Sequence, residues 1–363
     1  DLALTVTQPL LKDFGIDLNK REIFIAKNDQ EISDHQFTEK VIDTLTEAEN
    51  IYWDLVFSIE DLKVKKTSLQ RARDLEKQIK AQVDVGTLAE LEILQAKSEV
   101  ASRDEQLLNA KNLIDDNEDK LKNVLNLSFD SEEGLKNIVP ADSPVFKPGS
   151  ESSLEESLKT ALTHRPDLLA KKKELDNRNI EAKYNENQLF PTLDLVGSLG
   201  LNGLSGESAT TNGSHDTALS ETFSTKFRLW EFGINLSYPL GNRAAKSRLA
   251  AKRLEVAQLL LDIKESEKNI VVEVREAHRQ IETDIKRVQA TRVARKFAEE
   301  KLHAEEKKFK VGLSTSFNVL EFQEDLAEEQ SNEIKAVTDY NKSLSRLNQV
   351  MARTLEAHDI KLQ

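Results

Sequence analysis

Between Gly241 and Gly312 the chain contains neither glycine nor proline. These two residues are the strongest local breakers of helical structure, so a stretch without them reads as one uninterrupted helix. Apolar residues recur along it every seven positions. Leu249, Val256, Ile263, Ile270 and Ala277 form one row, and Leu260, Val274, Ile281, Val288, Leu302 and Phe309 form a second beside it. A stripe of that period packs on other helices. A helix from Ala244 to Phe309 would be about 100 Å long at ~1.5 Å per residue, far more than a globular core requires, so it reads as a wall element.

The N-terminal half repeats the plan. From Asp17 to Val83 there is again no glycine or proline, and Ala48, Leu55, Leu62 and Leu69 form one row with Leu45, Tyr52 and Ile59 beside it. Both long patterns stop at a Val-Gly step, Val85-Gly86 and Val311-Gly312, and a new helical pattern follows at once. Glycine permits the left-handed backbone that ends a helix, and Thr87 with Glu90 has the spacing of a capping box for the next one. Each half is therefore predicted to hold a tight hairpin of helices. Gly86 and Gly312 lie 226 positions apart, and so do Leu55 and Ile281, which marks an internal repeat. Upstream, Thr7-Gln8-Pro9-Leu10 matches Ser237-Tyr238-Pro239-Leu240 at an offset of 230, so about four residues are gained or lost between strand and helix.

Strands are few but alternate as a barrel wall does. Leu2, Leu4 and Val6 alternate with Ala3, Thr5 and Thr7. Leu193, Leu195, Leu199 and Leu201 alternate with Thr192, Asp194, Ser198 and Gly200. In a third stretch Phe223, Phe227 and Leu229 alternate with Ser224, Lys226 and Arg228. After Trp230 the phase flips to Phe232, Ile234, Leu236 and Tyr238, which predicts a bulge or a change of environment there. Asn202 to Ser220, rich in Gly, Ser, Thr and Asn, reads as a mobile surface loop, and Ser153 with Glu156 has the spacing that opens a short helix. The organisation is thus a first repeat over 1–126 with its tip turn near 84–88, an irregular region over 127–165, and a second repeat over 166–363. The last comprises a helix, a strand at 191–201, a loop at 202–220, a strand at 221–240, a long helix at 243–310, a tip turn at 311–315, a return helix and a tail.

Composition narrows the function classes. The 64 acidic residues outnumber the 51 basic ones and leave a net charge of −13, with no concentrated Lys/Arg surface for a nucleic-acid backbone. No apolar run reaches the ~18–20 residues of a membrane-spanning helix, so membrane contact falls to the strands. There is no cysteine for a disulfide, thiolate ligand, nucleophile or lipid anchor within these residues. The six histidines show no i, i+3 or i, i+4 pairing for a metal, and neither a phosphate loop nor a nucleophile elbow is present. Neither catalytic residue nor cofactor is expected.

Several motifs, in this order, resemble the TolC-like outer-membrane efflux proteins. They are Gln8-Pro9-Leu10 before a long helix, Tyr52-Trp53-Asp54-Leu55 within it, the two Val-Gly turns, and Ala161-Leu162 with Arg165-Pro166-Asp167-Leu168. Phe190-Pro191-Thr192-Leu193 then enters a strand, and Tyr238-Pro239-Leu240-Gly241 leaves one. The resemblance implies a mainly α fold, a long helical barrel of coiled-coil hairpins continued into a trimeric transmembrane β-barrel in the outer membrane, with a large periplasmic portion. It implies a passive exit duct of a tripartite efflux or type I secretion system, exporting drugs, small toxic compounds or polypeptides. The implied partners are outer-membrane lipid, a periplasmic adaptor and an inner-membrane transporter of the RND or ABC type. Because that family has four strands and a first long helix where three strands are legible here, an N-terminal helix and strand are expected ahead of Asp1, whose surroundings lack a leader's basic region and cleavage site.

Site residues follow from the same resemblance. Gly86, Leu88 and Ala89 in one tip and Gly312, Leu313, Ser314 and Thr315 in the other are expected to dock the adaptor. Glu321, with Asn318 and Glu92 at the repeat-matched position, is expected to line the pore constriction. Asn318 is neutral where the family carries an acid, and Phe309 stands where a tyrosine is frequent. Two other readings use some of the same features. A periplasmic adaptor would have one hairpin and substantial Gly-rich β domains, and a structural coiled coil would have no alternating strands.

Overall fold

The computed structural model describes residues 2–128, 130–132, 134–149, 152–204, 206 and 214–362. In chain order the elements are β1 (Leu2–Pro9), α1 (Ile16–Asn19), α2 (Arg21–Asp84), α3 (Glu90–Val124), α4 (Leu154–His164), α5 (Pro166–Asn187), β2 (Thr192–Leu201), α6 (His215–Phe223), β3 (Arg228–Ser237), α7 (Arg243–Lys310), α8 (Ser316–Val350) and α9 (Thr354–Ala357). The chain forms two compact units, one of Asp1–His35 and Asp167–Ser266, the other of Gln36–Pro166 and Glu267–Gln363.

In the first unit the strands form one open antiparallel sheet of order β1-β2-β3. The register sets Leu4 opposite Leu199 and Leu199 opposite Trp230, then Val6 opposite Gly197 and Gly197 opposite Phe232. Because side chains alternate across a strand, this places Leu2, Leu4, Val6, Leu193, Leu195, Leu199, Trp230, Phe232, Ile234 and Leu236 on one face. The other face carries Thr5, Asp194, Ser198, Glu231 and Asn235, with Thr5 and Ser198 hydrogen-bonded across it at 3.1 Å. The apolar face is uncovered, Phe232 being 67% and Ile234 69% exposed. In the same unit α5 is tied to the first turns of α2 by Asn177 Nδ2 donating to Asp29 and by the Lys173–Glu31 pair. Lys252–Glu181 and Arg178–Glu255 tie it to the start of α7.

Three expectations are corrected here. The strand predicted over 221–240 begins only at Arg228, because His215–Phe223 is a helix, α6, opened by Ser214 and Thr217 in a reciprocal capping box. No bulge lies at Trp230, since the pairing of β3 with β2 runs unbroken from Arg228 to Ser237. The earlier alternation comes from Phe223, which ends α6, from Phe227, which precedes β3, and from Leu229, which lies on the opposite face of β3 from Trp230. The loop expected over 202–220 shortens accordingly, and positions 205 and 207–213 of it lie outside the described residues. Gly203 is packed so closely under α6 that an added Cβ would lie 2.1 Å from the Ala218 carbonyl oxygen.

In the second unit the heptad rows read from sequence are the buried ones. Leu55 and Leu69 of α2, and Ile270, Val274, Ile281, Val288 and Leu302 among the α7 rows, are buried; in the first unit the same α7 rows bury Leu249 and Ile263, while Leu260 stays exposed. Charged pairs decorate the outside of the α7/α8 hairpin, Arg287–Asp339 at 2.9 Å, Arg292–Glu333 at 3.2 Å and Lys301–Asp325 at 3.0 Å. Exposed pairs of this kind contribute at most about 1 kcal/mol each, so the apolar seam holds the hairpin. The irregular segment before α4 is strapped to the helices. Tyr52 OH donates to Asp142 at 2.9 Å, Tyr340 OH donates to the Lys147 carbonyl at 3.0 Å, and Phe146 packs edge-on against Tyr340 under the guanidinium of Arg292. Burial raises the Tyr52 pKa. Among the described residues no helix is long and apolar enough to cross a membrane.

Candidate functional site

Both hairpin turns are built the same way. Gly86 and Gly312 adopt φ of 77° and 75°, a left-handed conformation that side chains disfavour. At each, the following residue closes back on the helix, Thr87 N donating to Gln82 O at 2.8 Å and Leu313 N to Lys308 O at 2.9 Å, while the glycine N–H bonds the carbonyl three residues earlier. These are paired Schellman closures, which satisfy carbonyls left over at the helix end.

The helices that leave the turns begin differently. Thr315 caps α8, its Oγ1 accepting from Asn318 N at 3.4 Å. The repeat-matched position in α3 is Ala89, which offers no side-chain cap. The expected capping box at Thr87 does not form, since Thr87 Oγ1 donates to Gln82 O at 2.8 Å and so belongs to the end of α2.

Beneath the turns, Ala72, Leu75 and Ile79 of α2, Ala96 of α3, Leu302 of α7 and Val319, Leu320 and Leu326 of α8 form one apolar cluster, with Leu88 and Phe309 packed against it. Leu88, expected to be free for a partner, is thus a partly buried prop. Ser314 is also engaged, donating to Glu305 Oε1 at 2.6 Å. Glu305 additionally pairs with Lys308 at 2.9 Å, and the hydroxyl and the ammonium together hold its carboxyl below the usual glutamate range. Uncovered at the turns, besides Gly86, Thr87 and Gly312, are Val85, Ala89, Val311, Leu313 and Thr315, Leu313 being 77% exposed.

The three constriction candidates separate. Glu92 is half-buried and accepts a hydrogen bond from the hydroxyl of Ser316, which joins the first hairpin to the second. Asn318 turns back on its own tip, Nδ2 donating to Ser314 Oγ at 3.4 Å. Glu321 alone is exposed, in a groove of about 330 Å³ between α3 and α8, shared with Gln95, Glu99, Phe317 and Glu324. Sequence reasoning missed Glu324, one turn beyond Glu321, and Arg103, which is 1% exposed. A signal for the arginine was present: Ala96, Arg103, Ala110 and Asn117 form a buried seven-residue row in which a guanidinium follows a small side chain. Among the described residues no group of acidic and histidine side chains is placed to hold a metal.

The molecule resembles several solved outer-membrane channels. It superposes on the CmeC outer membrane channel of Campylobacter jejuni with a TM-score of 0.75 at 17% identity, over 97% of this chain and 71% of that one. For the outer membrane protein VceC of Vibrio cholerae the TM-score is 0.77 at 15% identity, over 96% and 79%. For the open state of the MtrE outer membrane channel of Neisseria gonorrhoeae it is 0.71 at 15%, over 98% and 80%. Identities this low define a shared fold, that of TolC-like helical-barrel channels. Residues 3–127 and 157–353 match the outer membrane efflux protein family, and the chain belongs to that family. No curated protein sequence matches it.

Proposed function

We propose that three copies of this protein form a passive exit duct in the outer membrane, the terminal component of a tripartite efflux or type I secretion system. One observation carries the reading. A sheet with a continuous, uncovered apolar face and a polar opposite face sits on the same chain as two paired helical hairpins. Strands β2 and β3 have 10 residues each, within the ~9–11 that a tilted strand needs to cross a bilayer. Three strands cannot close a barrel, and an open edge in lipid leaves backbone groups unpaired, so closure by further copies follows. The hairpins then stand in the periplasm.

In this reading Val85, Ala89, Val311 and Leu313 at the turns receive the helical hairpin of a periplasmic adaptor, which couples the duct to an RND or ABC transporter. Drugs or small toxic compounds are the expected cargo, with polypeptides for a type I system. Glu321 places three carboxylates around the entrance and favours cations there. The test is drug susceptibility of the host expressing tip variants. Gly86→Pro and Gly312→Pro cannot adopt the positive φ and lose the N–H that closes the helix. Ala89→Arg and Leu313→Glu put charge on the exposed surface, and Leu313 is chosen over Thr315 because Thr315 caps α8. Susceptibility should rise while the amount of assembled protein stays normal, and unchanged export in all four would remove the tips from docking.

A further inference from the structure

We propose that Arg103 is a positioning residue that clamps the two hairpins together and thereby fixes where Glu321 stands. Its guanidinium is almost fully enclosed and spends four donor contacts on three helices. Nε donates to Glu99 Oε1 at 2.8 Å within α3, and Nη1 to the Ser68 carbonyl of α2 at 3.2 Å. Nη1 also donates to Gln323 Oε1 at 3.1 Å, and Nη2 to the Leu320 carbonyl at 2.7 Å, both on α8. Leu320 and Gln323 flank Glu321 in sequence, so a single buried cation holds the α8 turn that carries the groove carboxylate. The clamp is not a product of the repeat: the matched position in α8 is Glu329, and the match to Ser68 is Ala294.

A buried charge is a poor way to gain stability, because an apolar residue of similar volume in such a place is often as stable or more so. It is a good way to fix geometry, since a planar fork with five donors accepts only one arrangement of its acceptors. Separating α3 from α8 would strand a guanidinium and the side chain of Gln323 without partners, so the contact resists displacement of one hairpin from the other. The effect assigned to Glu321 rests on the constriction reading above; the clamp itself does not.

The experiment uses the intact trimer in detergent and in planar bilayers. These 363 residues hold no cysteine, so spin labels at Gln95→Cys and Glu324→Cys, on opposite walls of the groove, report the α3–α8 distance once labelled protomers are diluted with unlabelled ones. Arg103→Met should lengthen and broaden that distance and raise single-channel conductance while the melting temperature is unchanged or higher. Arg103→Lys, which keeps the charge but not the fork, should fall between. An unchanged distance in either assembled variant overturns the clamp, as does a loss of melting temperature in Arg103→Lys with the distance preserved, which would make Arg103 a packing residue only. If Arg103→Met does not assemble, the lysine variant decides by the same readouts. Glu321→Gln in unlabelled channels separates the two ideas: unaltered ion selectivity removes Glu321 from the constriction, and the label distances still judge the clamp.

Discussion

Glu305 carries the most constrained charge at the second turn, between the Ser314 hydroxyl and the Lys308 ammonium. Its carboxyl is held low by those partners, so the folded state binds its proton less readily than the unfolded chain does. The stability it contributes is therefore complete above the ordinary glutamate value of about 4.3 and is lost as pH falls through the lower folded value. A spin label on Leu313→Cys should keep the same mobility from pH 7 to pH 5 and loosen only in stronger acid, and Glu305→Gln should loosen it at every pH. Repeat spacing located the turn glycines and brought Glu92, Asn318 and Glu321 to one end of the helices. It could not distinguish the exposed carboxylate of Glu321 from the engaged one of Glu92, because that depends on Ser316, which is remote in sequence from Glu92 and reaches it only through tertiary packing. Glu305 was illegible for a similar reason, its repeat mate being the apolar Ile79 of the buried cluster.

Among the elements, long helices were legible because seven-residue rows persist over many turns and no glycine or proline intervenes; α7 spans Arg243–Lys310 as the pattern requires. The third strand was legible only in part. Phe223 and Phe227 alternate with polar residues by coincidence, and the competing signal, Ser214 capping a short helix at His215, is local and easily overridden by hydrophobic alternation. Once β3 is placed from Arg228, its register aligns the apolar faces of all three strands. That alignment makes opposite predictions for adjacent residues. Ile234→Lys sets a charge on the apolar face near mid-strand, and should cost about 2–4 kcal/mol of folding stability in a bilayer. Asn235→Lys, on the polar face, should cost little. Urea titration of protein folded into phospholipid bilayers compares them, and equal losses would mean that the two faces do not meet lipid and water as assigned.

At the scale of the whole molecule, the 226-residue repeat yields two hairpins whose return helices, α3 and α8, meet beneath the turns through Glu92–Ser316 and the Arg103 contacts. The repeat does not yield a closed sheet: β1 and β3 are both edges. In the proposed duct this sheet, apolar on one face, lies in lipid, where it is stable only when its edges are paired, and strands of further copies of the chain supply pairing. The proposed duct therefore requires a fixed stoichiometry of three. Measuring the mass of the intact protein extracted in mild detergent decides it: a species of three protomers that persists on dilution is expected, and a stable monomer with the sheet intact would overturn the duct.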